Sequence, residues 1–231
     1  MNTIKSNPVR IPLALRMSGS ALKVIAIISM VIDHWALYFM ETGMPLYEAM
    51  RCFGRIAFPV FTFLTAEGYA YSKDRMWYFI KLLGFAFISE IPWYLLSGAD
   101  GTHNVMFTLA LGVLAIGMFD RLKERKPLCI CMILIVTAYA HWIGSDYEWR
   151  GILMIVLFYM LRQNRTCQLI LTFPLMIHYG VIGAFLACAV LFLYDGTRGF
   201  ARGRMPKLGF YLFYPLHLLV ILSFLRIFYL S

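Results

Sequence analysis

The sequence predicts an all-α protein: a polytopic transmembrane helical bundle of about nine spans, one or two of them candidates for broken helices. Three observations predict it. Of the 231 residues, 61% are hydrophobic and 14% charged, with a mean hydropathy of +0.72, whereas a soluble domain carries about 25% charged residues. Apolar blocks recur from end to end, most of them near the roughly 17–25 residues that a membrane-crossing helix needs. The polar breaks between blocks alternate between basic and acidic or neutral, as they do where cytoplasmic loops collect Lys and Arg.

The blocks run over 20–40, 52–72, 77–97, 104–120, 127–144, 149–161, 166–178, 180–194 and 208–229. The sixth and seventh are short, and Pro174 and the His178-Tyr179-Gly180 break fall in that region, so these are the spans expected to be tilted, re-entrant or broken. Basic breaks hold Lys5, Arg10 and Arg16; Lys73 and Arg75; Arg121, Lys123, Arg125 and Lys126; Arg162 and Arg165; and Arg198, Arg202, Arg204 and Lys207. The breaks between them hold Glu41 and Glu48 with Arg51; Asp100; Asp146 and Glu148 with Arg150; and His178-Tyr179-Gly180. This alternation places the N-terminus in the cytoplasm and the C-terminus outside. Residues 1–19 read as a cytoplasmic segment and 20–231 as one transmembrane domain. The first block starts too late and runs too long for a cleaved signal peptide and is expected to be retained.

The net charge of +9 comes from these loops. With no basic domain outside the spans, nucleic-acid binding is not expected. The five cysteines, Cys52, Cys129, Cys131, Cys167 and Cys188, form no C-x-x-C pair and no Cys/His set with zinc spacing, so neither a disulfide framework nor a metal site is expected. No dinucleotide, P-loop or H-E-x-x-H signature occurs.

Ionisable residues inside the spans are the informative ones, because a charge in hydrocarbon costs at least a few kcal/mol and is retained chiefly where it serves a cavity or a reaction. Asp33 and His34 sit side by side in the first span. Lys23, Ile27, Met30 and His34 share one helix face, with His34 about 16 Å beyond Lys23 at 1.5 Å per residue. A ligand entering from inside would meet the foot of that face and a reacting centre near its top. The plainer readings are a snorkelling Lys23 and a packing hydrogen bond for the Asp33-His34 pair. In the second span Arg55 lies near the outer end, at a depth similar to His34, with Glu67 twelve residues on toward the cytoplasm. Pro59 suits a kinked helix beside a cavity. An Arg55–Asp33 pair is expected, either as charge neutralisation or as support for His34. Glu90 precedes Pro92 in the third span and reads as a protonated, hydrogen-bonded carboxyl or a ligand group. Asn104 opens the fourth span and suits a helix cap. In the last span Tyr211, Tyr214 and His217 step by three along one polar stripe, and His217 can meet His34 if the first and last spans adjoin.

The segments Leu22-Lys23-x-Ile25-Ala26-Ile27-Ile28-x-Met30-x-Ile32-Asp33-His34, Gly54-Arg55-x-Ala57-Phe58-Pro59-x-Phe61-x-Phe63-Leu64-x-Ala66-Glu67-Gly68-Tyr69 and Asn104-Val105-Met106-Phe107-Thr108-Leu109-x-Leu111-Gly112 resemble the TraX family. So do Tyr194-Asp195-Gly196-x-Arg198-Gly199 and Phe210-Tyr211-x-Phe213-Tyr214-Pro215-x-His217-Leu218. The matches are ordered and cover most of residues 20–220. Residues 121–176 match less clearly, apart from Asp146-Tyr147 and Gly151.

The resemblance implies an acetyltransferase of the bacterial inner membrane, similar to the wider group of transmembrane acyltransferases. These carry acetyl from cytoplasmic acetyl-CoA to an acceptor across the membrane. The family's founding member acetylates the N-terminus of conjugative pilin, so the acceptor is expected to be a pilin N-terminus or a cell-envelope glycan or lipid. His34 is then the general base, or a residue that itself becomes acetylated. Asp33 or Glu67 adjusts its protonation, and His217 is a second acid/base. Arg55, Asn104 and Tyr214 are candidates to stabilise the oxyanion. The cofactor-binding set comprises Lys23, Lys81, Arg198 and Arg202 for the phosphates of CoA, together with Glu90, Asn104 and Tyr214. The basic loop 198–207 has orientation in the membrane as its plainer role. A proton-coupled transporter is the rival class, since it too uses buried Asp, Glu, His and Arg; a non-catalytic scaffold leaves those residues unexplained.

Overall fold

The computed structural model describes residues 12, 15–98, 100–200 and 204–230. Among them are ten α-helices and no strand: α1 (Gly19–Phe39), α2 (Pro45–Gly54), α3 (Ala57–Ala70), α4 (Arg75–Ser97), α5 (Val105–Leu122), α6 (Lys126–Trp142), α7 (Glu148–Met160), α8 (Arg165–Ile177), α9 (Val181–Phe192) and α10 (Arg204–Leu230). Each apolar block of the sequence holds a helix. Several helices start where a side chain satisfies a free backbone N–H: Ser18 accepts from Ala21 N, Asp74 from Trp77 N, Asn104 from Met106 N and Asn164 from Cys167 N. Gly98, at φ 71°, stops α4 in the left-handed conformation that glycine adopts without penalty.

The block over 52–72 departs from expectation, because it takes in the end of α2 and all of α3. Pro59 has no N–H to offer the Arg55 carbonyl, so the chain turns through Arg55-Ile56 before α3 begins. Pro92, Pro174 and Pro215 lie inside α4, α8 and α10 without ending them; in a bundle, neighbouring groups re-satisfy the carbonyl that a proline frees.

Helices α1, α4 and α5 and the Leu208–Ile227 part of α10 are long and apolar enough to cross a membrane, while α6, α8 and α9 are apolar but shorter. Their outward faces are hydrophobic: Ile91 is 69% exposed, Phe185 61% and Ile227 63%. Such surfaces are stable only against lipid or another apolar partner, and the chain is a membrane protein.

Six helices close a ring. Helix α1 packs on α10, α10 on α4, α4 on α5, α5 on α7, α7 on α3 and α3 back on α1. Helices α2, α6, α8 and α9 pack around it. Lipid offers no hydrophobic drive to associate helices, so close approach and good packing carry the bundle. At the α5–α7 contact a Cβ on Gly112 would overlap Ile155, and one on Gly151 would overlap Thr108 and Phe58. Phe63, Phe158, Ile152 and Ile155 fill the centre.

Two straps hold the ends. On the basic side, Gly19 N donates to Thr197 O (2.8 Å), Ser20 N and Oγ donate to Arg198 O (3.0 and 2.7 Å), and Asp195 N donates to Met17 O (3.0 Å). This ties the loop after α9 to the start of α1. On the opposite side His103 N donates to Gly144 O (3.0 Å) and Asp146 N to His103 O (2.9 Å), joining the α4–α5 and α6–α7 connections.

Candidate active site

Helices α1 and α10 run parallel. Lys23 Nζ lies 5.1 Å from the Phe210 ring centroid, and eleven residues further along α1 His34 Nδ1 lies 2.9 Å from His217 Nε2. The two imidazoles are almost parallel, at 8°, with centroids 5.0 Å apart. His217 is buried and stacks on Phe213 (5.6 Å, 11°); Tyr38 meets His34 edge-on at 6.1 Å. This N···N hydrogen bond requires one ring to donate and the other to accept, so the pair holds one shared proton in its neutral state.

A cavity of about 530 Å³ opens between α1, α3, α4, α5 and α10. One end is formed by the α3–α4 turn and the 194–199 loop. Cations gather there: Lys23, Lys73, Lys81 and Arg198 line the cavity, against the single carboxylate of Asp74, with Tyr71 and Trp77 beside them. Lys81 lies over the Tyr211 ring at 5.3 Å. Further along the walls are apolar, with Ile27 and Met30 on α1 and Phe213 beside Tyr214 on α10. His34 and His217 come one turn beyond Met30 and Phe213, so the pair stands just past the apolar end.

The structure therefore brings Lys23, Lys81, Arg198 and Tyr214 to one cavity and places His34 against His217 beyond it. Arg202 lies outside the described residues. Asp33 departs from expectation in its partner. Its Oδ2 pairs with Arg51 Nη1 at 2.5 Å, and Arg55 forms no ion pair among the described residues. The other Asp33 oxygen, Oδ1, is buried without a hydrogen-bond partner; it packs on Gly54, where any Cβ would overlap the carboxyl. Arg55 instead packs against Gly183 of α9.

Glu67 is at the basic end, where Tyr194 donates to it (3.3 Å) and Arg162 approaches at 3.7 Å. Neither Asp33 nor Glu67 hydrogen-bonds an imidazole of the pair among the described residues. Glu90 bonds to His103 Nδ1 and accepts from Asn104 Nδ2 (2.6 Å), and Asn104 also donates to Ala86 O (2.9 Å) and caps α5. Glu90 and Asn104 thus pin α4 to the start of α5, away from the cavity lining.

Arg51, Lys73, Trp77 and Asp146 carry no local mark of a functional role in the sequence. Arg51, Lys73 and Asp146 read there as loop charges that set orientation. The Asp146-Tyr147 match was the available signal for that position. Asp146 lies on the α6–α7 connection, where burial pushes its carboxyl up to about 7; the Tyr147 N–H opposes the rise, Asp33 adds to it, and Arg55 and Arg51 oppose it.

The model of the family described as TraX protein matches residues 18–226. The chain is similar to the probable fimbrial assembly protein FimC, serogroup H1, of Dichelobacter nodosus: 31% identity over 237 residues, covering 89% of this chain and 95% of that one. It is also similar to the uncharacterized protein RP591 of Rickettsia prowazekii (strain Madrid E), with 27% identity over 164 residues, covering 68% of this chain and 62% of that one. No solved structure matches. The family match runs from the cap of α1 almost to the end of α10 and takes in both histidines and all four cavity cations: the chain belongs to the TraX family.

Proposed function

We propose that this protein is an integral-membrane acetyltransferase that takes acetyl from cytoplasmic acetyl-CoA and delivers it to an amine or hydroxyl acceptor at or beyond the membrane. The observation that carries this reading is the hydrogen-bonded His34–His217 pair beyond the apolar end of a cavity whose other end is basic. The two ends suit the two parts of the donor. Lys23, Lys73, Lys81 and Arg198 would neutralise its phosphates, and the apolar walls along Ile27, Met30 and Phe213 would accept the pantetheine arm. The thioester then reaches the level of the histidines.

In the reaction, a nitrogen of the pair not engaged in the N···N bond takes the proton of the attacking N–H or O–H. The proton passes through the pair to the leaving CoA thiolate, so neither ring keeps charge over the cycle. Tyr214, buried and lining the cavity, supplies a hydroxyl toward the oxyanion of the tetrahedral intermediate. On this reading the basic end faces the cytoplasm of a bacterial inner membrane. The name of the Dichelobacter relative, a probable fimbrial assembly protein, favours a pilin N-terminus over a glycan or lipid acceptor.

Binding tests the reading directly. Acetyl-CoA should raise the thermal midpoint of purified protein in detergent, because a ligand bound only by the folded state stabilises it by mass action. The protein should also transfer labelled acetyl to a peptide with a free N-terminus. No shift at millimolar acetyl-CoA would overturn the proposal and favour the proton-coupled transporter.

A further inference from the structure

The polar groups that acetyl transfer leaves unused lie around Asp146. The loop carrying it is held on three sides: His103 N donates to Gly144 O, Asp146 N donates to His103 O, and Thr108 Oγ1 donates to Asp146 O. The next two residues take left-handed φ values, 63° at Tyr147 and 44° at Glu148, which a non-glycine residue adopts only where surrounding contacts impose it. The Tyr147 ring lies flat on Phe58, at 3.4 Å and 8°, and supplies part of that constraint. The backbone is therefore fixed, and so is the position of the carboxyl.

That carboxyl forms no ion pair among the described residues, yet it is within electrostatic reach of Asp33 on α1, Arg51 on α2 and Arg55 beyond it. It acts in turn on Tyr38 of α1, Tyr147, Tyr179 between α8 and α9, and Tyr214 of α10. Two of these neighbour the histidines: Tyr38 meets His34 edge-on at 6.1 Å, and Tyr214 lies one turn before His217. Asp146 is half-buried: the packing that raises its carboxyl leaves part of the residue at the surface.

Proton arithmetic assigns it a task. A primary amine arrives at neutral pH largely as an ammonium, since an α-amino group titrates near 7.7–8.0 and a lysine near 10.4. Acetylation removes two protons from such a nitrogen, whereas a hydroxyl acceptor brings one. The histidine pair returns its single proton to the thiolate and has no capacity for a second.

We propose that Asp146 is the acceptor-side base, binding the ammonium of a primary-amine acceptor and removing its first proton. The inference rests on the acetyltransferase reading. The ammonium N–H bond breaks and Asp146 becomes the neutral acid. The amine nitrogen bonds to the acetyl carbon, and the C–S bond breaks. The second N–H proton passes through the histidine pair to the thiolate. Amide and CoA thiol leave, and Asp146 releases its proton to water on the acceptor side, one per turnover. The raised carboxyl, at about 7, suits an acid that must both take and release a proton at neutral pH.

The test measures acetyl transfer by the full chain in nanodiscs, from acetyl-CoA to a short peptide with a free N-terminal amine, between pH 6 and 9. Asp146→Asn should lose about 10² in rate at pH 7, recover as the pH rises and the amine deprotonates in solution, and keep the thermal shift with acetyl-CoA. Asp146→Glu, which retains a carboxyl, should keep the wild-type pH dependence; if the Asn variant does not fold, Asp146→Ser should show the same loss at pH 7 and recovery at higher pH, and a wild-type profile in it overturns the role. A wild-type pH profile in Asp146→Asn, or an equal loss at every pH, overturns the role of Asp146 alone. So does wild-type transfer to a hydroxyl acceptor with none to the peptide. Wild-type protein that neither binds acetyl-CoA nor transfers acetyl overturns the acetyltransferase reading and this inference with it.

Discussion

His34 Nδ1 is hydrogen-bonded to His217 Nε2 at 2.9 Å across 183 residues of sequence, through the parallel packing of α1 on α10. A shared proton makes the two rings one chemical unit. His34→Ala and His217→Ala should each lower acetyl transfer by about 10²–10⁴, and the double variant should be little worse than either single one, because residues acting as a unit are not additive. Acetyl-CoA binding, read by thermal shift, should persist in all three. Multiplicative losses would mean that the histidines work independently.

The Asp33–Arg51 pair joins α1 to α2 with both side chains largely enclosed, at 14% and 16% exposure. Arg51→Ala leaves the Asp33 charge uncompensated and should cost about 3 kcal/mol, the order found on removing one partner of a buried pair. Arg51→Met combined with Asp33→Asn should cost less than Arg51→Ala alone. Gly54→Ala should destabilise through the same contact, because its Cβ would overlap the Asp33 carboxyl. Thermal midpoints in detergent would rank the variants. Equal stability of Arg51→Ala and wild type would remove the pair from the account.

Lys81 and Arg198 reach the cavity from different elements, α4 and the α9–α10 loop. Lys81→Ala and Arg198→Ala should each weaken acetyl-CoA binding about tenfold, corresponding to about 1.4 kcal/mol, with added salt narrowing the difference from wild type. Dephospho-CoA should lose less from these substitutions than CoA does. Unchanged affinity in both variants would move the phosphates elsewhere.

The parallel run of α1 and α10 puts the C-terminal end of α10 on the same side as the end of α1. On the proposed orientation, which puts the start of α1 in the cytoplasm, a reporter fused after Ser231 should be active outside and one inserted in the 121–126 turn active inside. The reverse pattern would reverse the side from which acetyl-CoA enters.

Asp146 sets a pH dependence of stability. Its ordinary value is 3.8 and burial pushes it up to about 7 in the folded protein. The folded state holds this proton between those values while the unfolded chain releases it. The stabilisation is therefore complete below pH 3.8 and is lost as the pH rises to about 7. The midpoint of wild type relative to Asp146→Asn should fall across that window and level off above it. Asp100, held low by donation from Thr102, has the opposite slope but is common to both proteins and cancels. A difference independent of pH would count against a protonated Asp146.

Apolar length and loop charge are local properties, so most of the helices and their order are legible in the sequence; α2 and the break at Arg55-Ile56 are not, because Pro59 divides what reads as one apolar block. Lys23, Lys81, His34 and His217 stand out as polar groups inside apolar segments, whereas Arg198 lies in a basic loop and stands out only through the family resemblance. Which of these groups would meet was decided by tertiary structure. Asp33 and His34 are neighbours in the chain, but successive residues point about 100° apart on a helix. Asp33 therefore faces α2 and finds Arg51, while His34 faces α10 and finds His217. The choice of Arg51 over Arg55 followed from the break that Pro59 imposes between α2 and α3 and from Gly54, which lets the Asp33 carboxyl lie against the backbone. Asp146 and Lys73 looked like ordinary loop charges because nothing local distinguishes them. The straps between loops bring one to the far side of the histidines, and the closure of α1, α3, α4 and α10 brings the other to the cavity.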